Sequence, residues 1–415
     1  MTSVTLSGWW RKSVGASRYR RNMRLLHTSD WHLGRSFHGI GMLDAQRAFI
    51  DQLVTFVRDE SVDVVLIAGD VYDRALPGVD VVGLLDDALV RLTGAGAQVV
   101  LTSGNHDSAI RLGFASRLLE RGGVHLRTRL NELDQPVLFP LGDDAENEAS
   151  PVLAIYGIPW LEPRLVAEQL GVETASHFEV TRAATERIRA DVRHRSETRT
   201  VHSVVLAHTF ASGGISSDSE RDLSIGGVGA VPLDLFDGFG YTALGHLHGR
   251  QELSRSVRYS GSPLAYSFSE AKHKKGSWLV EVDAEGIGDV RAVHWEAPRT
   301  LAVLRGKLDD LLESEDFAWA EAAYCQITLT DAARPAQAMD RLRVRFPDTL
   351  VLGFDPDGAG ATPKASYSSR LAEADDDLSV CCGFLDHVRG RPASDAEAAV
   401  LAEALEAVRL EGVSL

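Results

Sequence analysis

The sequence predicts an α/β protein with a largely parallel sheet. Short, nearly continuous apolar runs, such as VDVVLIAGD at residues 62–70, are typical of strands buried on both faces. Two segments between such runs, 44–59 and 79–92, carry apolar residues at helical spacing. The order strand, helix, strand, helix, strand implies right-handed crossovers between parallel strands. Polar residues follow several of these apolar runs directly. They lie at the carboxyl ends of the strands, where such sheets bind their ligands.

Length and composition limit the possible organisation. A chain of 415 residues is too long for one compact core, so we expect two or three domains. With 44% hydrophobic and 25% charged residues, the composition is ordinary for a globular protein. The net charge of −16 is unfavourable for binding nucleic acid through a basic surface. A nucleic-acid substrate would therefore require local basic patches, bound metal cations or a partner subunit.

The N-terminus and the cysteines carry little functional signal. Residues 1–22 are basic and lack the apolar segment of a secretory signal, and we interpret them as a disordered tail or a mis-assigned start. The three cysteines, Cys325, Cys381 and Cys382, form no metal-binding or redox motif and are interpreted as packing residues. Sparse, unpaired cysteines fit a reducing compartment, so we expect a cytoplasmic protein.

Metal-capable side chains follow five of the predicted strands. The runs LLHTSDWH, VDVVLIAGD, AQVVLTSGNHD, SVVLAHT and YTALGHLH each end in such residues. The candidate metal ligands are Asp30, His32, Asp70, Asn105, His208, His246 and His248.

Seven side chains offering oxygen and imidazole nitrogen are too many for one ion. They suit two divalent ions roughly 3.5–4 Å apart that share a bridging carboxylate. Asp70 is the expected bridge, because it ends a central strand. His106 lies beside Asn105, so we expect it to protonate the leaving oxygen of a phosphate ester. Glycines at 69, 104 and 245 are expected to let the chain turn sharply beneath the metals.

The motifs DWH, GDVYD, GNHD, LAHT and GHLH, in this order, resemble the calcineurin-like metallophosphoesterase signature. The resemblance implies two mixed sheets packed together and flanked by helices. It also implies one ion on Asp30, His32, Asp70 and His248, and a second ion on Asp70, Asn105, His208 and His246. By the same resemblance His106 is the catalytic histidine, and the ions are manganese, which suits nitrogen and oxygen ligands.

A narrower resemblance extends from Met23 to the C-terminus. The segments MRLLHTSDWHLGRSFHG, HTFASGG, RYSGSPLAYSFSE and FLDHVRGRPASDAE resemble the nuclease subunits of bacterial DNA-repair complexes. This resemblance implies a double-strand exonuclease and hairpin endonuclease that works with an SMC-like ATPase. It also implies a homodimer within a heterotetramer, formed through segments such as 79–92 and 109–121. Archaeal and eukaryotic relatives often have histidine where this chain has Asp73, which leaves the role of Asp73 open.

The remaining chain is divided by composition and by the same resemblance. We expect a nuclease domain at 23–295, a small α/β capping domain at 296–356 and a linker at 357–370. The capping domain should contain three strands and a helix at 335–345, and two helices, 377–390 and 394–410, should follow the linker in a partner-binding segment, 371–415. Two helices cannot bury both apolar faces alone; they either pack on the cap or, as the resemblance favours, dock on the coiled coil of the ATPase.

Several alternatives stay open. The basic residues Arg250, Arg255, Arg258, Lys272, Lys274 and Lys275 could follow a DNA backbone or belong to a solvated hairpin. His38 could approach the substrate or face solvent, whereas His27 is expected in the core. A phosphoesterase of small phosphodiesters or phosphoproteins would also explain the metal ligands and the acidic charge. A DNA-end tether without catalysis is disfavoured by the complete ligand set and by His106.

Overall fold

The computed structural model describes residues 22–142, 149–223, 229–357, 377–389 and 393–412. All but the last residue of the expected N-terminal tail (1–22), most of the linker and residues 371–376 lie outside this range. Two compact units are present: residues up to 329 with 335–353, and residues 330–334 with 354–415. Among the described helices, none is long and apolar enough to cross a membrane.

Two six-stranded sheets form the centre of the first unit. The strands of the first sheet are Met23–Thr28 (β1), Val64–Ala68 (β4), Gln98–Thr102 (β5), Val124–Arg127 (β6), Gly276–Asp283 (β13) and Gly286–His294 (β14). Those of the second are Val137–Pro140 (β7), Val152–Ile158 (β8), Val201–His208 (β9), Tyr241–Gly245 (β10), Gln251–Glu252 (β11) and Val257–Tyr259 (β12). The first sheet has the order β14-β13-β1-β4-β5-β6 and the second β11-β12-β10-β9-β8-β7.

The direction of the strands makes both sheets mixed. Strands β1, β4, β5 and β6 run parallel to one another, as do β12, β10, β9 and β8. The remaining strands pair antiparallel. This is the arrangement that the family resemblance implied.

Helices cover the outer faces of these sheets. Leu43–Asp59 (α1) and Val79–Gly94 (α2) bury residues such as Leu53 and Leu84 against the first sheet. Pro163–Leu170 (α5) and His177–Ser196 (α6) cover the second sheet. A third apolar cluster lies between the two sheets. Short helical turns are Ala109–Leu112 (α3), Ser116–Leu119 (α4), Glu120–Gly122, Leu130–Glu132, Asp218–Leu223, Leu233–Phe236, Phe268–Glu270 and Glu315–Ala320.

A small three-stranded sheet carries the expected capping elements. Its strands are Leu301–Gly306 (β15), Tyr324–Leu329 (β16) and Thr349–Phe354 (β17), in the order β15-β16-β17. Helices Leu308–Glu313 (α7) and Ala338–Arg345 (α8) accompany it. The predicted helix start at residue 335 was wrong, because the left-handed backbone of Gln337 (φ 51°) precedes the first helical turn. A short ribbon consists of Ser36–Phe37 (β2) and Ile40–Gly41 (β3). Leu301 and Tyr324 of the small sheet pack on an apolar cluster that includes Phe37 of this ribbon.

The second unit contains two helices, Asp377–Arg389 (α9) and Asp395–Gly412 (α10). Their bounds lie within two residues of the sequence prediction. Ser394 and Glu397 form the expected capping box: the Ser394 backbone N–H donates to Glu397 Oε2 at 2.8 Å, and the Glu397 N–H donates to Ser394 Oγ at 3.4 Å.

Candidate metal centre

The carboxyl ends of five parallel strands meet at one edge of the two sheets, and this edge holds the predicted ligands. Two ligands follow β1, one follows β4, one follows β5, one ends β9 and two follow β10. All seven predicted ligands are brought together here. Six are buried and Asn105 is half-buried. They are Asp30, His32, Asp70, Asn105, His208, His246 and His248.

Asp70 lies at the middle of this cluster. Its Oδ2 is 3.4 Å from His208 Nε2 and 3.6 Å from His32 Nε2. Ligand atoms of Asp30, Asp70 and His208 lie within 4.8 Å of one another, as do those of Asp30, His32 and His248. These two sets share Asp30, and Asp70 belongs to the set of His208. Overlapping sets of this kind suit two divalent ions that share a bridging carboxylate.

Hydrogen bonds set the tautomer of two of the histidines. His208 Nδ1–H donates to the backbone oxygen of Ala68 at 3.0 Å, which leaves Nε2 as a lone-pair donor. His248 Nδ1–H donates to Ser219 Oγ at 2.8 Å, so its Nε2 is free as well. That Nε2 lies 3.1 Å from His32 Nε2, so one proton can be shared between the two rings. Without that proton the two nitrogen lone pairs point to the same place, so the residues fit a divalent metal.

The backbone is strained at four of the ligands. Asp30, His32, Asp70 and His246 have φ of 52°, 44°, 47° and 110°, a region that non-glycine residues rarely adopt. Such strain costs on the order of 1–3 kcal/mol per residue and persists where the surrounding structure over-determines it. The fold therefore holds these side chains in place before any ion binds.

The three glycines have two different roles. Gly69 has a φ of +78°, and a Cβ there would overlap the imidazole of His208, so this position requires glycine, as expected for a sharp turn. Gly104 and Gly245 are close-approach positions instead. A Cβ on Gly104 would overlap Asp70 Oδ1, and one on Gly245 would overlap the backbone oxygen of Ala68. The expectation of a sharp turn was therefore wrong for these two.

Burial and mutual interaction shift the protonation of the ligands. Burial raises the pKa of Asp30 to about 8. Burial opposes ionisation of Asp70 too, but the neighbouring His208 outweighs it and holds the pKa of Asp70 below its ordinary value. Burial disfavours the charged form of His208, yet Asp70 raises the pKa of His208 to about 9. Burial lowers the pKa of His32 to about 4 and that of His248 below its ordinary value.

His106 stands at the open side of the cluster. Its Nδ1–H donates to the backbone oxygen of Asp73 at 2.9 Å, and its Nε2 lies 4.0 Å from Asp70 Oδ2. The side chain is 36% exposed, in contrast to the buried ligands, so Nε2 can be reached from solvent. The carboxylate of Asp73 lies 3.6 Å from His32 Nδ1. Asp73 therefore contacts both His106, through its backbone oxygen, and His32, through its side chain.

Residues that the motif analysis did not assign complete the site. Asp107 accepts hydrogen bonds from the backbone N–H groups of Val71, Tyr72 and Gly104 at 2.9–3.0 Å, which ties the loops after β4 and β5 together. Burial raises the pKa of Asp107 to about 7. The position of Asp107 directly after Asn105 and His106 was the available signal.

A buried ion pair of Glu270 and Lys275 supports His248. Glu270 accepts a hydrogen bond from Ser219 Oγ at 2.6 Å, and Ser219 in turn accepts from His248. Lys275 Nζ contacts the Glu270 carboxylate and donates to the backbone oxygen of His248 at 2.8 Å. Both members are nearly excluded from solvent. Nothing in the local sequence distinguishes these residues from a solvated loop.

The basic segment after the metal histidines therefore divides into interior and surface residues. Lys275 and Arg258 are buried and Arg250 is half-buried, so neither a DNA track nor a solvated hairpin describes these three. Arg258 pairs with Glu252 at 2.8 Å. Three residues remain exposed: Arg255, Lys272 and Lys274. His27 is buried, as expected, with its Nδ1 2.9 Å from Tyr241 Oη.

The fold and this cluster define the class of protein. The calcineurin-like phosphoesterase family matches residues 23–250, more than half of the chain. This chain therefore belongs to the calcineurin-like phosphoesterase family, a fold that implies divalent metal ions. A second family, described as the type 5 capsule protein repressor C-terminal domain, matches residues 297–381.

Similar curated relatives include two proteins named as the SbcD component of the nuclease SbcCD. The protein from Staphylococcus saprophyticus is 31% identical over 335 residues, which cover 80% of this chain and 84% of the relative. The protein from Staphylococcus epidermidis is 29% identical, and the match covers 80% of this chain and 85% of the relative. The similarity to nuclease subunits that the motifs indicated is confirmed.

Solved structures with a related fold are more distant. A dimetal phosphatase from Danio rerio is 12% identical, with a TM-score of 0.40, over 66% of this chain and 99% of the other. GAP50 of Plasmodium is 10% identical, with a TM-score of 0.36, and the match covers 81% of this chain and 98% of the other. The family assignment depends on the sequence matches and not on these scores.

Proposed function

We propose that this chain is the nuclease subunit of a DNA-repair and recombination complex. It would hydrolyse phosphodiesters at duplex ends and in hairpins, with Mn²⁺ as the preferred ion. We place this activity in the cytoplasm. The observation that carries this proposal is the buried cluster of seven oxygen and nitrogen ligands around Asp70, open to solvent at His106. The similarity to proteins named as the SbcD component of the nuclease SbcCD, along 80% of the chain, supports the substrate class.

The proposed ligand sets divide the cluster into two halves that share Asp70. One half consists of Asp30, His32 and His248, and the other of Asn105, His208 and His246. Asn105 Oδ1 is 3.0 Å from His208 Nε2 and 3.2 Å from His246 Nδ1, which supports their grouping. When bound, two divalent ions supply positive charge for a phosphate and lower the pKa of water toward neutrality.

His106 is the proposed proton donor. Its Nδ1–H is held by the backbone oxygen of Asp73, so the ring presents Nε2 toward Asp70 and the solvent. A protonated Nε2 can hand its proton to the leaving ester oxygen as the bond to phosphorus breaks. Asp107 maintains this geometry, because it ties the loop of His106 to the loop of Asp70.

Binding of DNA by an acidic chain requires help from local charge and from partners. The exposed residues Arg255, Lys272 and Lys274 can contact phosphates, and bound divalent ions would offset part of the charge of −16. We propose that an SMC-like ATPase of the SbcC type supplies the remaining DNA contacts and docks on α9 and α10. Their placement in a separate compact unit supports this proposal.

A homodimer is proposed through α2, α3 and α4. Large apolar side chains are exposed on these elements: Val79 at 91%, Ile110 at 89% and Leu118 at 69%. Arg111 of α3 donates to the backbone oxygen of Ala75 at 3.2 Å, in the loop that leads into α2. Large exposed apolar side chains of this kind are typical of protein–protein contacts.

Cleavage of end-labelled linear and hairpin duplexes in Mn²⁺ tests the proposed function. The purified chain would be assayed alone and with its ATPase partner, with bis(p-nitrophenyl) phosphate as the small substrate. Metal-dependent cutting of DNA that the partner enhances supports a nuclease subunit. Turnover of the small ester with DNA intact under both conditions would establish a small-substrate phosphoesterase instead.

A further inference from the structure

A cavity of about 540 Å³ adjoins the metal centre on the side of the small sheet. We propose that it is a subsite for the nucleotide next to the scissile phosphate, in which a base stacks on His38 and Arg35 binds a phosphate. The volume lies in the range of cavities that hold small ligands. This inference rests on the proposed nuclease function, since it names the part of the substrate that the site would recognise.

The cavity shares a wall with the metal ligands. Ser219 lines the cavity and accepts a hydrogen bond from His248 at 2.8 Å. Tyr266, another lining residue, has its ring centroid 5.6 Å from that of His32 and 6.0 Å from that of His248. A phosphate at the metals and a base in the cavity can therefore belong to one nucleotide or to two adjacent ones.

His38 and Phe268 form an aromatic platform in the cavity. Their ring centroids are 5.0 Å apart, and Phe37 lies 4.8 Å from His38 on another side. Phe268 is buried, whereas His38 is exposed and has a φ of 47°. A strained, solvent-exposed ring supported by two buried rings is a surface for stacking a heteroaromatic ligand, which is how bases bind regardless of sequence.

Arg35 supplies a cationic group at the wall of the cavity. Its Nη1 is buried and lies 3.7 Å from Asp73 Oδ1, so this side of the guanidinium forms an ion pair with the carboxylate. The guanidinium carbon lies 5.1 Å from the ring centre of Tyr266, which holds the group at the cavity wall. Because Arg35 also lines the cavity, its guanidinium places positive charge beside a phosphate bound there.

The small sheet completes the wall of the cavity. Val303 and Gln326 contribute an apolar surface and an amide, which suit a base and its polar edge. The lining therefore fits a nucleotide whose base enters the cavity.

Calorimetric titration of the full Mn²⁺-loaded chain with dAMP and with 2-deoxyribose 5-phosphate tests this subsite. We expect dAMP to bind about tenfold more tightly, because stacking of one base contributes roughly that much or more. His38→Ala should reduce the ratio of the two dissociation constants to about one. His38→Phe, which keeps a ring, should retain most of the ratio. Arg35→Gln should weaken both ligands by a similar factor.

His194→Ala is the matched control, because His194 is an exposed histidine with 80% of its side chain accessible on α6. It should behave as the wild-type chain. Equal affinity of the wild type for the two ligands, or a retained preference for dAMP in His38→Ala, would overturn the subsite. The measurement is independent of turnover, so a base preference without any DNA cleavage would keep the subsite and reject the proposed nuclease function.

Discussion

The two halves of the metal centre orient their histidines by different kinds of partner. His208 ends β9 of the second sheet and donates to the backbone oxygen of Ala68, which belongs to strand β4 of the first sheet. His248 donates to the side chain of Ser219, which depends in turn on the buried pair of Glu270 and Lys275. One half is therefore held by the sheet itself, and the other by side chains from loops that follow β9 and β12.

This difference indicates how each half can change. A backbone carbonyl cannot be removed by substitution, so the His208 half should be disturbed only by displacing the chain. The His248 half depends on side chains, which substitution can remove while the sheet stays intact. Since Ser219 also lines the proposed nucleotide subsite, the side-chain half is the one that a bound nucleotide can reach.

Asp70→Asn should break both halves at once and has the largest expected effect. The proposed bridge belongs to both ligand sets, and an amide carries no charge for the ions. We expect bound metal to fall from two ions to fewer than one and turnover to fall to background. Metal analysis by mass spectrometry, with Asp51→Asn on the exposed face of α1 as the control, measures this. Retention of two ions would reject Asp70 as the bridge.

His106→Ala should separate chemistry from metal binding. The ring is a proposed proton donor and not a ligand, so two ions should remain while turnover falls by about 10²–10⁴-fold. Single-turnover cleavage combined with metal analysis checks this. Loss of metal together with activity would show that His106 belongs to the ligand set instead.

Gly69→Ala should disturb the half that the sheet holds. The added Cβ would overlap the imidazole of His208, and the φ of +78° disfavours alanine. We expect the affinity of one ion to fall by about 100-fold, the upper end for changes that reorient a ligand. Calorimetric titration of the metal-free chain with Mn²⁺ resolves the two sites. Gly39→Ala, with no atom within 4 Å of its Cβ and a similar φ of +86°, controls for backbone strain alone.

Glu270→Gln should weaken the opposite half by about tenfold in ion affinity. It removes the charge that holds Ser219 and Lys275 but leaves the His208 half untouched. An unpaired Lys275 in the interior would also destabilise the fold by about 3–5 kcal/mol. Glu270→Gln combined with Lys275→Met should restore the melting temperature without restoring ion affinity. Recovery of both would mean that the pair is merely structural.

The dependence of metal binding on pH should show the smallest effect. In the metal-free chain Asp70 raises the pKa of His208 to about 9, so His208 is protonated at pH 7.5 and must lose that proton to bind an ion. The affinity of that half should rise with pH and level off above about 9. His32, with a pKa of about 4, is already neutral at pH 7.5. Asp30, with a pKa of about 8, is largely protonated at pH 7.5 and must also lose its proton. Titration in buffers of different ionisation enthalpy should therefore detect up to two protons, one from His208 and one from Asp30.

The linked effect on stability has the opposite sign. A raised pKa of His208 stabilises the metal-free fold fully below its unfolded value of 6.5, and this contribution disappears as the pH rises through about 9. Thermal unfolding of the metal-free chain between pH 6 and pH 10 measures it. A melting temperature that rises through this interval would contradict the Asp70–His208 ion pair.

Much of the catalytic sheet was predictable because its strands are buried on both faces. Continuous β-branched runs predicted β1, β4, β5, β9 and β10 to within two residues. Strands β7 and β8 and helices α5 and α6 were not identified from the sequence. Strand β7 lies at the edge of its sheet, and α6 has a polar outer face over its 20 residues, so their apolar patterns are weaker.

The sequence by itself indicated the seven candidate metal ligands, because each follows or ends a predicted strand and the chemistry of its side chain is independent of context. Only the tertiary structure decided what orients those ligands. Lys275 is a surface residue by composition and an interior ion-pair partner in the fold, because burial depends on contacts between segments far apart in the chain. Likewise, Arg35 and His38 join Gln326 at one cavity only when the small sheet packs on the catalytic core. The spacing of residues in the sequence predicts which chemistry a side chain can perform, whereas long-range packing determines which groups it contacts.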